Sequence, residues 1–411
     1  MTAPPPARTP PPRRILVRGV NWLGDAVMTT PALQRLREAL PNAHITLLTH
    51  EKLADLWRRH PSLDAVMAFS PGESPWSVAR RLRAERFQAA LVLPNSPRSA
   101  LEVWLAQIPQ RIGYARPWCS WLLTQALAPR PGKLQMPRRS VREVKRLVRR
   151  PVAPLAPAAA RPPESAVHQI RDYLHLAAAL GANPEPLPPK LEIAAPELRE
   201  AQEMLMKTLQ VVGQASRLSK GRPALGADDV GEAPSRTSGT PAQLPVLLGL
   251  NPGAEYGPAK RWPAENFAAV AREVSRRFGN CAWLALGGPG DGQLCLEVAR
   301  LADSGVINLA GKTSLRQSMA LLKLCRVLLT NDTGPMHVAA ALGTPVVVPF
   351  GSTSPELTGP GLPGDPRHLL LTSAAPCAPC FRRACPIDFR CMTGIGPERV
   401  VEAVLQALPP G

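Results

Sequence analysis

The sequence is short of aromatic residues, of acidic residues and of long apolar runs. Aromatic side chains make up only 4% of the 411 residues, a poor supply for a surface that stacks nucleic-acid bases. No apolar run reaches the length of about 18 residues that a membrane-spanning helix needs. The first 14 residues lack the apolar core of a signal peptide. We therefore expect a cytoplasmic protein whose eight cysteines stay reduced.

Positive charge is in clear excess over negative charge. The chain has 49 Lys and Arg residues against 31 Asp and Glu, a formal net charge of +18. Such an excess predicts an anionic partner. The alternatives are a nucleic acid, a membrane surface and a phosphorylated substrate. Hydrophobic residues at 45% exclude a wholly disordered chain, and the length predicts two domains of ordinary size.

Short apolar segments alternate with helical segments along most of the chain. The strands that we predict are 15–19, 44–48, 91–93, 246–250, 283–286, 306–309, 326–330 and 346–350. Helices are predicted over 26–40, 335–342 and 397–408, and a capping box at Ser314 and Gln317 starts another. This alternation is typical of the α/β class, with parallel sheets covered by helices on both faces.

The pattern divides into two α/β domains and several interruptions. We expect a disordered tail over 1–13, a first domain over 14–190, a second over 246–396 and a C-terminal helix over 397–411. A basic and Pro-rich insertion covers 138–163, and a predicted linker, 191–245, contains a low-complexity insertion over 213–245. The basic run 138–150 has interleaved apolar residues. It predicts either a solvated face or an amphipathic helix at a membrane surface.

The strongest candidate site is the segment 330–337, TNDTGPMH. It follows a predicted strand and opens a helix, so it lies at the sheet edge where α/β proteins bind ligands. Free backbone N–H groups and the positive helix end suit a phosphate. Asp332 and Thr333 either only cap the helix or also contact ribose or phosphate oxygens. His337, one turn later, faces either the ligand or the core.

A second candidate loop, 251–262 (NPGAEYGPAKRW), also lies between a predicted strand and a helix. Its glycines let the backbone approach a ligand closely, and Lys260 and Arg261 offer positive charge to a diphosphate. The alternative is a long surface loop with solvated bases. Loops of this length in compact domains are more often functional.

The loop 21–25, NWLGD, joins the first predicted strand to the first helix. It contains only part of a dinucleotide fingerprint, so a nicotinamide site is weakly supported. Asp25 is either an N-cap or a general base in a cleft between the domains. We expect the helix end to favour its ionised form, which makes it ready to accept a proton but not strongly basic.

Four cysteines cluster near the C-terminus, at Cys377, Cys380, Cys385 and Cys391. Their spacing fits neither a common zinc ribbon nor a ferredoxin pattern. We expect reduced thiols that pack a tight Pro-rich loop, with a metal or redox module as the alternative.

Four segments together carry a resemblance to a known family. Residues 15–33, 252–263, 331–343 and 350–355 resemble the bacterial ADP-heptose–lipopolysaccharide heptosyltransferases of type II, in glycosyltransferase family 9. The resemblance covers 14–130 and 165–408. It implies a GT-B fold, in which two Rossmann-like domains face each other across the active site.

The resemblance also implies a reaction. The C-terminal domain would bind ADP-heptose as donor, and the N-terminal domain would receive a lipid A–Kdo–heptose acceptor for addition of the second heptose. Transfer would invert the anomeric centre without a required cofactor or metal. The enzyme would be cytoplasmic and peripheral at the inner face of the anionic inner membrane, with no nucleic-acid partner.

Individual residues acquire roles through the same motifs. Asp25 would be the base that deprotonates the acceptor hydroxyl, and Lys260 would bind the diphosphate, where negative charge grows as the donor bond breaks. The remaining donor-binding residues would be Asn251, Gly253, Asp332, Thr333, Gly334, Met336 and His337. Asn21, Trp22 and Gly24 would form an acceptor-side loop. The alternative functions are a related family 9 enzyme using another ADP-sugar or core acceptor and, on charge alone, a nucleic-acid-binding protein.

Overall fold

Two six-stranded parallel sheets form the framework of the protein. The computed structural model describes residues 11–131, 133, 137–149, 167–220, 245–303 and 305–408. The strands of the first sheet are β1 (Arg14–Arg18), β2 (His44–His50), β3 (Ala65–Phe69), β4 (Ala89–Val92), β5 (Gln110–Tyr114) and β6 (Gln125–Leu127). The strands of the second are β7 (Val246–Asn251), β8 (Cys281–Ala285), β9 (Val306–Asn308), β10 (Leu328–Thr330), β11 (Val346–Phe350) and β12 (Leu369–Thr372). The predicted α/β class with parallel sheets is confirmed.

The strand order of each sheet reverses near its centre. The first sheet has the order β3-β2-β1-β4-β5-β6, and the second has β12-β11-β10-β7-β8-β9. In the first sheet the strands after β1 are added on one side of it, and β4 then pairs with its other side. In the second sheet β8 and β9 are added on one side of β7, and β10 then pairs with its other side. Crevices at the carboxyl ends of such strand pairs are where open α/β sheets bind ligands.

Helices cover both sheets. The helices are α1 (Leu23–Met28), α2 (Thr30–Ala39), α3 (Pro75–Ala84), α4 (Pro97–Leu105), α5 (Val141–Arg149), α6 (Ile170–Ala178), α7 (Ala195–Lys220), α8 (Ala264–Phe278), α9 (Gly292–Leu301), α10 (Leu315–Leu324), α11 (Gly334–Ala341), α12 (Pro355–Thr358), α13 (Arg390–Thr393) and α14 (Pro397–Ala407). Buried central strands such as β1 have apolar side chains on both faces, as parallel sheets require. Of the helices described, none has the length and apolar character needed to cross a membrane.

The single helix predicted over 26–40 is wrong, because two helices, α1 and α2, meet at Thr29. Pro31 has no N–H to offer the carbonyl of Val27, and the hydroxyl of Thr30 donates to that oxygen instead, at 2.9 Å. Thr29 likewise donates its hydroxyl to the carbonyl of Ala26, at 2.7 Å. These side-chain bonds end α1 one turn after Asp25.

The predicted linker 191–245 contains a long helix. The helix α7 packs against α10 of the second sheet, with Ala201 and Leu205 buried. Glu197 in its first turn pairs with Arg316 of α10, and that ion pair holds the pKa of Glu197 down at about 2. Apolar residues three and four positions apart were the signal for this helix. The rest of the low-complexity insertion, 221–244, lies outside the described residues.

The described part of the basic insertion 138–163 is the short helix α5. Val144 is buried against Cys377 and Cys380, and Val148 packs beside it. The Cys-rich segment therefore covers the Val144–Val148 side of α5, whereas Val141 stays exposed, so only part of the apolar face is left for a membrane. Residues 1–10 of the predicted tail 1–13 lie outside the described residues. The same is true of the Pro-rich part of the insertion, 150–163.

Candidate active site between the two sheets

Two glycines let the two domains meet at the carboxyl ends of their central strands. A Cβ atom on Gly24 of α1 would lie 2.7 Å from Cδ2 of His337, and one on Gly334 of α11 would lie 2.8 Å from Cβ of Leu23. Any larger residue at either position would push the helices apart. Helices α1 and α11 therefore pack in direct contact, and Asp25 lies in the same cleft as the start of α11.

Asp25 occupies the third position of α1, whose N-cap residue is Trp22, so of the two alternatives for Asp25 the N-cap is wrong. Gln169 donates from Nε2 to Oδ1 of Asp25 at 3.2 Å and to the hydroxyl oxygen of Tyr173 at 2.8 Å. Burial raises the pKa of Asp25 to about 6, against the opposing effects of Gln169 and Lys260. The expectation that the ionised form of Asp25 is favoured is wrong, because the loss of water on burial outweighs the amide of Gln169 and the ammonium of Lys260.

The opposite wall of the cleft holds a buried ion pair. Lys260 lies 2.7 Å from Oδ2 of Asp332, and its ammonium lies 4.8 Å from the ring centroid of Tyr256. Thr353 donates its hydroxyl to the same carboxylate oxygen. Asp332 therefore fixes the position of the Lys260 ammonium and is not an N-cap of α11.

The start of α11 has the features of an anion-binding helix end. Thr333 occupies the N-cap position, but its side chain makes no capping hydrogen bond, so the alternative that it serves only to cap the helix is not supported. Residues 333–335 are partly exposed, which leaves the positive end of the helix open to an anion. Asn331 accepts from the N–H of Trp262 at 3.0 Å and donates to the carbonyl of Pro252 at 2.7 Å. It thereby ties the 251–262 loop to this helix end.

Other predicted donor-binding residues pack the walls of the site. Asn251 is buried and donates to the carbonyl of Leu286 at 2.7 Å. A Cβ atom on Gly253 would collide with the carboxylate of Asp291, and Met336 is completely buried. His337 is buried as well, and burial lowers its pKa to about 4, so it is neutral at pH 7. Contact of these residues with a donor stays a prediction.

A cavity of about 620 Å³ opens beside Asp25 on the first domain. Asn21, Trp22 and Asp25, which the sequence pointed to, line it, whereas Gly24 faces His337. Further lining residues, which sequence reasoning missed, include Tyr114, Lys133, Gln169, Asp172 and Tyr173. No sequence motif marks these five residues, which come from three segments of the chain: Tyr114, Lys133 and 169–173.

The far wall of this cavity carries net positive charge. Asp172 accepts from Lys133 at 2.5 Å and from Nε of Arg130 at 2.8 Å, so one carboxylate stands between two cations. Tyr114 donates its hydroxyl to the backbone carbonyl of Asp172 at 2.8 Å. The cavity therefore combines a carboxylate of raised pKa with a wall that favours anionic groups.

The Cys-rich segment contacts the 251–262 loop. Cys377, Cys380 and Cys391 are buried, and burial raises the pKa of Cys391 to about 12, which keeps that thiol protonated. Tyr256 donates its hydroxyl to the backbone carbonyl of Phe381 at 2.9 Å, which joins this segment to the 251–262 loop. Within the part of the chain that the structure describes, no group of three or more His, Cys, Asp or Glu side chains is arranged to hold a metal ion.

Two parallel sheets whose switch points face one another across a cleft form the GT-B arrangement of glycosyltransferases, as the resemblance implied. The chain belongs to glycosyltransferase family 9, the heptosyltransferase family, because the model of that family matches residues 135–389. The predictions of a GT-B fold and of an enzyme of this family are thereby confirmed.

Individual relatives share most of their length with this chain. Lipopolysaccharide heptosyltransferase 2 of Salmonella typhimurium is 29% identical over 357 residues, which cover 84% of this chain and 85% of the relative. Lipooligosaccharide heptosyltransferase 2 of Haemophilus ducreyi is 28% identical over 360 residues, 84% of this chain and 86% of the relative.

Solved structures share the fold. ADP-heptose lps heptosyltransferase II of E. coli superimposes with a TM-score of 0.66 at 24% identity, over 96% of this chain and 98% of that one. A family 9 glycosyl transferase from Veillonella parvula has a TM-score of 0.70 at 22% identity, over 96% and 97% of the two chains.

Proposed function

We propose that the protein transfers heptose from ADP-heptose to the heptose of a lipopolysaccharide inner core, with inversion at the anomeric carbon. The observation that carries this proposal is the position of Asp25, a carboxylate with a pKa of about 6, across the cleft from the Lys260–Asp332 pair and the start of α11. The names of the heptosyltransferase 2 relatives, which match over most of their length, support the choice of donor and acceptor.

The donor diphosphate would lie against Lys260 and the start of α11. Negative charge develops on the leaving diphosphate as the glycosidic bond breaks, and a fixed ammonium and a helix N-terminus stabilise that charge without rearranging. Asp332 holds the ammonium in place before the donor arrives. Since these groups supply positive charge at the leaving group, the proposed reaction includes no cofactor and no metal. ADP-heptose is the donor substrate.

Asp25 would act as the general base. Its pKa of about 6 leaves most molecules ionised at pH 7 and makes the carboxylate more basic than an exposed aspartate. The acceptor hydroxyl gives its proton to Asp25 while its oxygen bonds to the anomeric carbon, and the bond from that carbon to the diphosphate breaks to release ADP. In this arrangement the base and the leaving group would lie on opposite walls, which suits attack from the face opposite the diphosphate and hence inversion.

The cavity beside Asp25 would hold the acceptor sugar. Its positive wall, built by Lys133 and Arg130 around Asp172, suits the phosphates and carboxylates of a lipid A–Kdo–heptose acceptor. Such an acceptor belongs to a membrane, and a net charge of +18 favours the surface of an anionic bilayer. We therefore propose a peripheral protein at the cytoplasmic face of the inner membrane.

One assay tests the proposal. The purified protein is incubated with ADP-heptose and with defined core acceptors that carry none, one or two heptoses, and ADP release and product mass are measured. We expect ADP release and a single added heptose only with the one-heptose acceptor. Faster turnover with another ADP-sugar, or with a different core acceptor, would instead identify a related family 9 transferase.

A further inference from the structure

Apart from Trp22, which lines the cavity beside Asp25, four tryptophans of the first domain are exposed to solvent. The exposed fractions are 71% for Trp76, 41% for Trp104, 58% for Trp118 and 68% for Trp121. In the described part of the second domain, by contrast, both tryptophans are buried. Clusters of large exposed aromatic side chains mark surfaces that bind a partner, so this concentration on one domain indicates a binding surface.

These side chains lie on neighbouring elements of one surface. Trp104, near the end of α4, contacts Trp121 with ring centroids 6.0 Å apart and the planes at 68°. Trp118 belongs to the same loop, 115–123, which is anchored on α4 by the buried residues Cys119 and Leu122. Trp76 is on α3, which packs beside α4. We call the surface formed by these four tryptophans the tryptophan face.

Arginines lie among the tryptophans. Trp76, Arg80 and Arg83 are four and three residues apart on α3, so they share one side of that helix, and all three are exposed. Arg83 donates from Nη2 to the backbone carbonyl of Leu105, at 2.6 Å, directly beside Trp104 in the chain. Arg86, just beyond α3, is exposed as well.

The acidic side chains near these helices are already paired. Glu73 and Glu85, which flank α3, form ion pairs with Arg81 and Arg14. Glu102 of α4 is completely buried between Arg18 and Arg98. The tryptophan face therefore presents aromatic rings and positive charge.

The tryptophan face is joined to the acceptor cavity by short segments. Ser96, which lines the cavity, is the N-cap of α4, and Trp104 lies about 12 Å further along that helix. Tyr114 also lines the cavity, and the loop with Trp118 and Trp121 follows it directly. A molecule bound at this surface thus lies close to the cavity beside Asp25.

We propose that the tryptophan face docks on the surface of an anionic lipid bilayer, so that a lipid-anchored acceptor can extend its sugars into the cavity. Tryptophan rings suit the boundary between headgroups and acyl chains, and the arginines suit anionic headgroups. A second copy of the chain would bring the same arginines together and be repelled. This inference rests on the proposed function in one respect, that the acceptor is attached to lipid.

Flotation with vesicles tests the docking directly. Vesicles of phosphatidylcholine alone are compared with vesicles that also contain phosphatidylglycerol, without donor or acceptor. We expect the wild type to bind the anionic vesicles at least about tenfold more tightly, since each arginine at the surface contributes about fivefold. The triple variant Trp104→Ser, Trp118→Ser, Trp121→Ser should lose at least about tenfold of this affinity, because its rings no longer leave water.

Two further variants separate charge from apolar area. Arg80→Gln with Arg86→Gln should weaken binding to anionic vesicles by about fivefold per charge and leave binding to neutral vesicles unchanged. Leu301→Ser, which removes an exposed apolar side chain of the second domain, is the matched control and should bind like the wild type. Quenching of wild-type tryptophan fluorescence by brominated lipid supplies a measurement that does not depend on how a variant folds.

Activity distinguishes failure of the docking from failure of the proposed function. Transfer to a deacylated, soluble acceptor should be the same for the wild type and the triple tryptophan variant, whereas transfer to acceptor in vesicles should fall in the variant. Docking without transfer to the soluble acceptor would leave the inference standing and reject the proposed function. Unquenched tryptophans, equal binding to both kinds of vesicle, or a dimer that the triple variant converts to monomer would overturn the inference.

Discussion

The two walls of the cleft each carry an aspartate, and the two differ in their neighbours. Asp25 on the first domain accepts a hydrogen bond from the neutral amide of Gln169, and burial raises its pKa. Asp332 on the second domain bonds directly to the ammonium of Lys260 and to the hydroxyl of Thr353. The comparison indicates that the hydrogen-bond partner of a buried carboxylate determines its chemical role. A neutral donor leaves it available as a base, and a cation makes it an anchor.

The largest expected effect comes from removing the proposed base on the first wall. Asp25→Asn keeps the shape of the side chain but cannot accept the proton, so we expect kcat to fall by about a thousandfold. ADP binding, measured by calorimetry, should be unchanged because the nucleotide is expected on the other wall. A variant that retains wild-type turnover would remove Asp25 from the mechanism.

Lys260→Ala tests the anchored cation on the second wall. Loss of a charged hydrogen-bond donor should raise the KM for ADP-heptose by about 10- to 100-fold, with the acceptor KM unchanged. Lys260→Arg, which retains the charge, is the control and should recover part of the affinity. An unaltered donor KM in the alanine variant would count against a diphosphate at this position.

The raised pKa of Asp25 also predicts a stability difference. Because its pKa is about 6 in the folded protein and 3.8 as the reference value, the folded state loses stability as pH rises from about 4 through 6. Asp25→Asn should therefore be more stable than the wild type by up to about 3 kcal/mol at pH 8, with no gain near pH 4. Thermal unfolding at both pH values measures this, and an equal difference at both would contradict a raised pKa.

The smallest expected effect concerns Gln169, the neutral hydrogen-bond donor to Asp25. The wild-type kcat/KM should rise with pH through about 6, since Asp25 must lose its proton to act. The amide of Gln169 lowers the pKa of Asp25, so Gln169→Leu should move this limb of the profile to higher pH. A limb that stays in place in the leucine variant would show that the amide does not set the basicity of Asp25.

The strands and loops that contain the site could be predicted from the sequence because their signals are local. Central parallel strands are continuous apolar runs, and the segments 251–262 and 330–337 follow such runs directly. Strands β3, β6 and β12 lie at sheet edges, and these were missed together with β5. An edge strand buries less of its surface, so its pattern is less apolar. Residues of β6, for example, are mostly exposed.

The sequence by itself therefore determined which segments enter the cleft, since the position of a loop after a strand depends only on residues nearby in the chain. The tertiary structure decided what those residues do there. Gln169 is 144 residues from Asp25 in the chain, and Asp172 gains its two cations from Arg130 and Lys133, about 40 residues away. Burial raises the pKa of Asp25 and keeps His337 neutral. Both effects arise because water is excluded only when distant segments pack together.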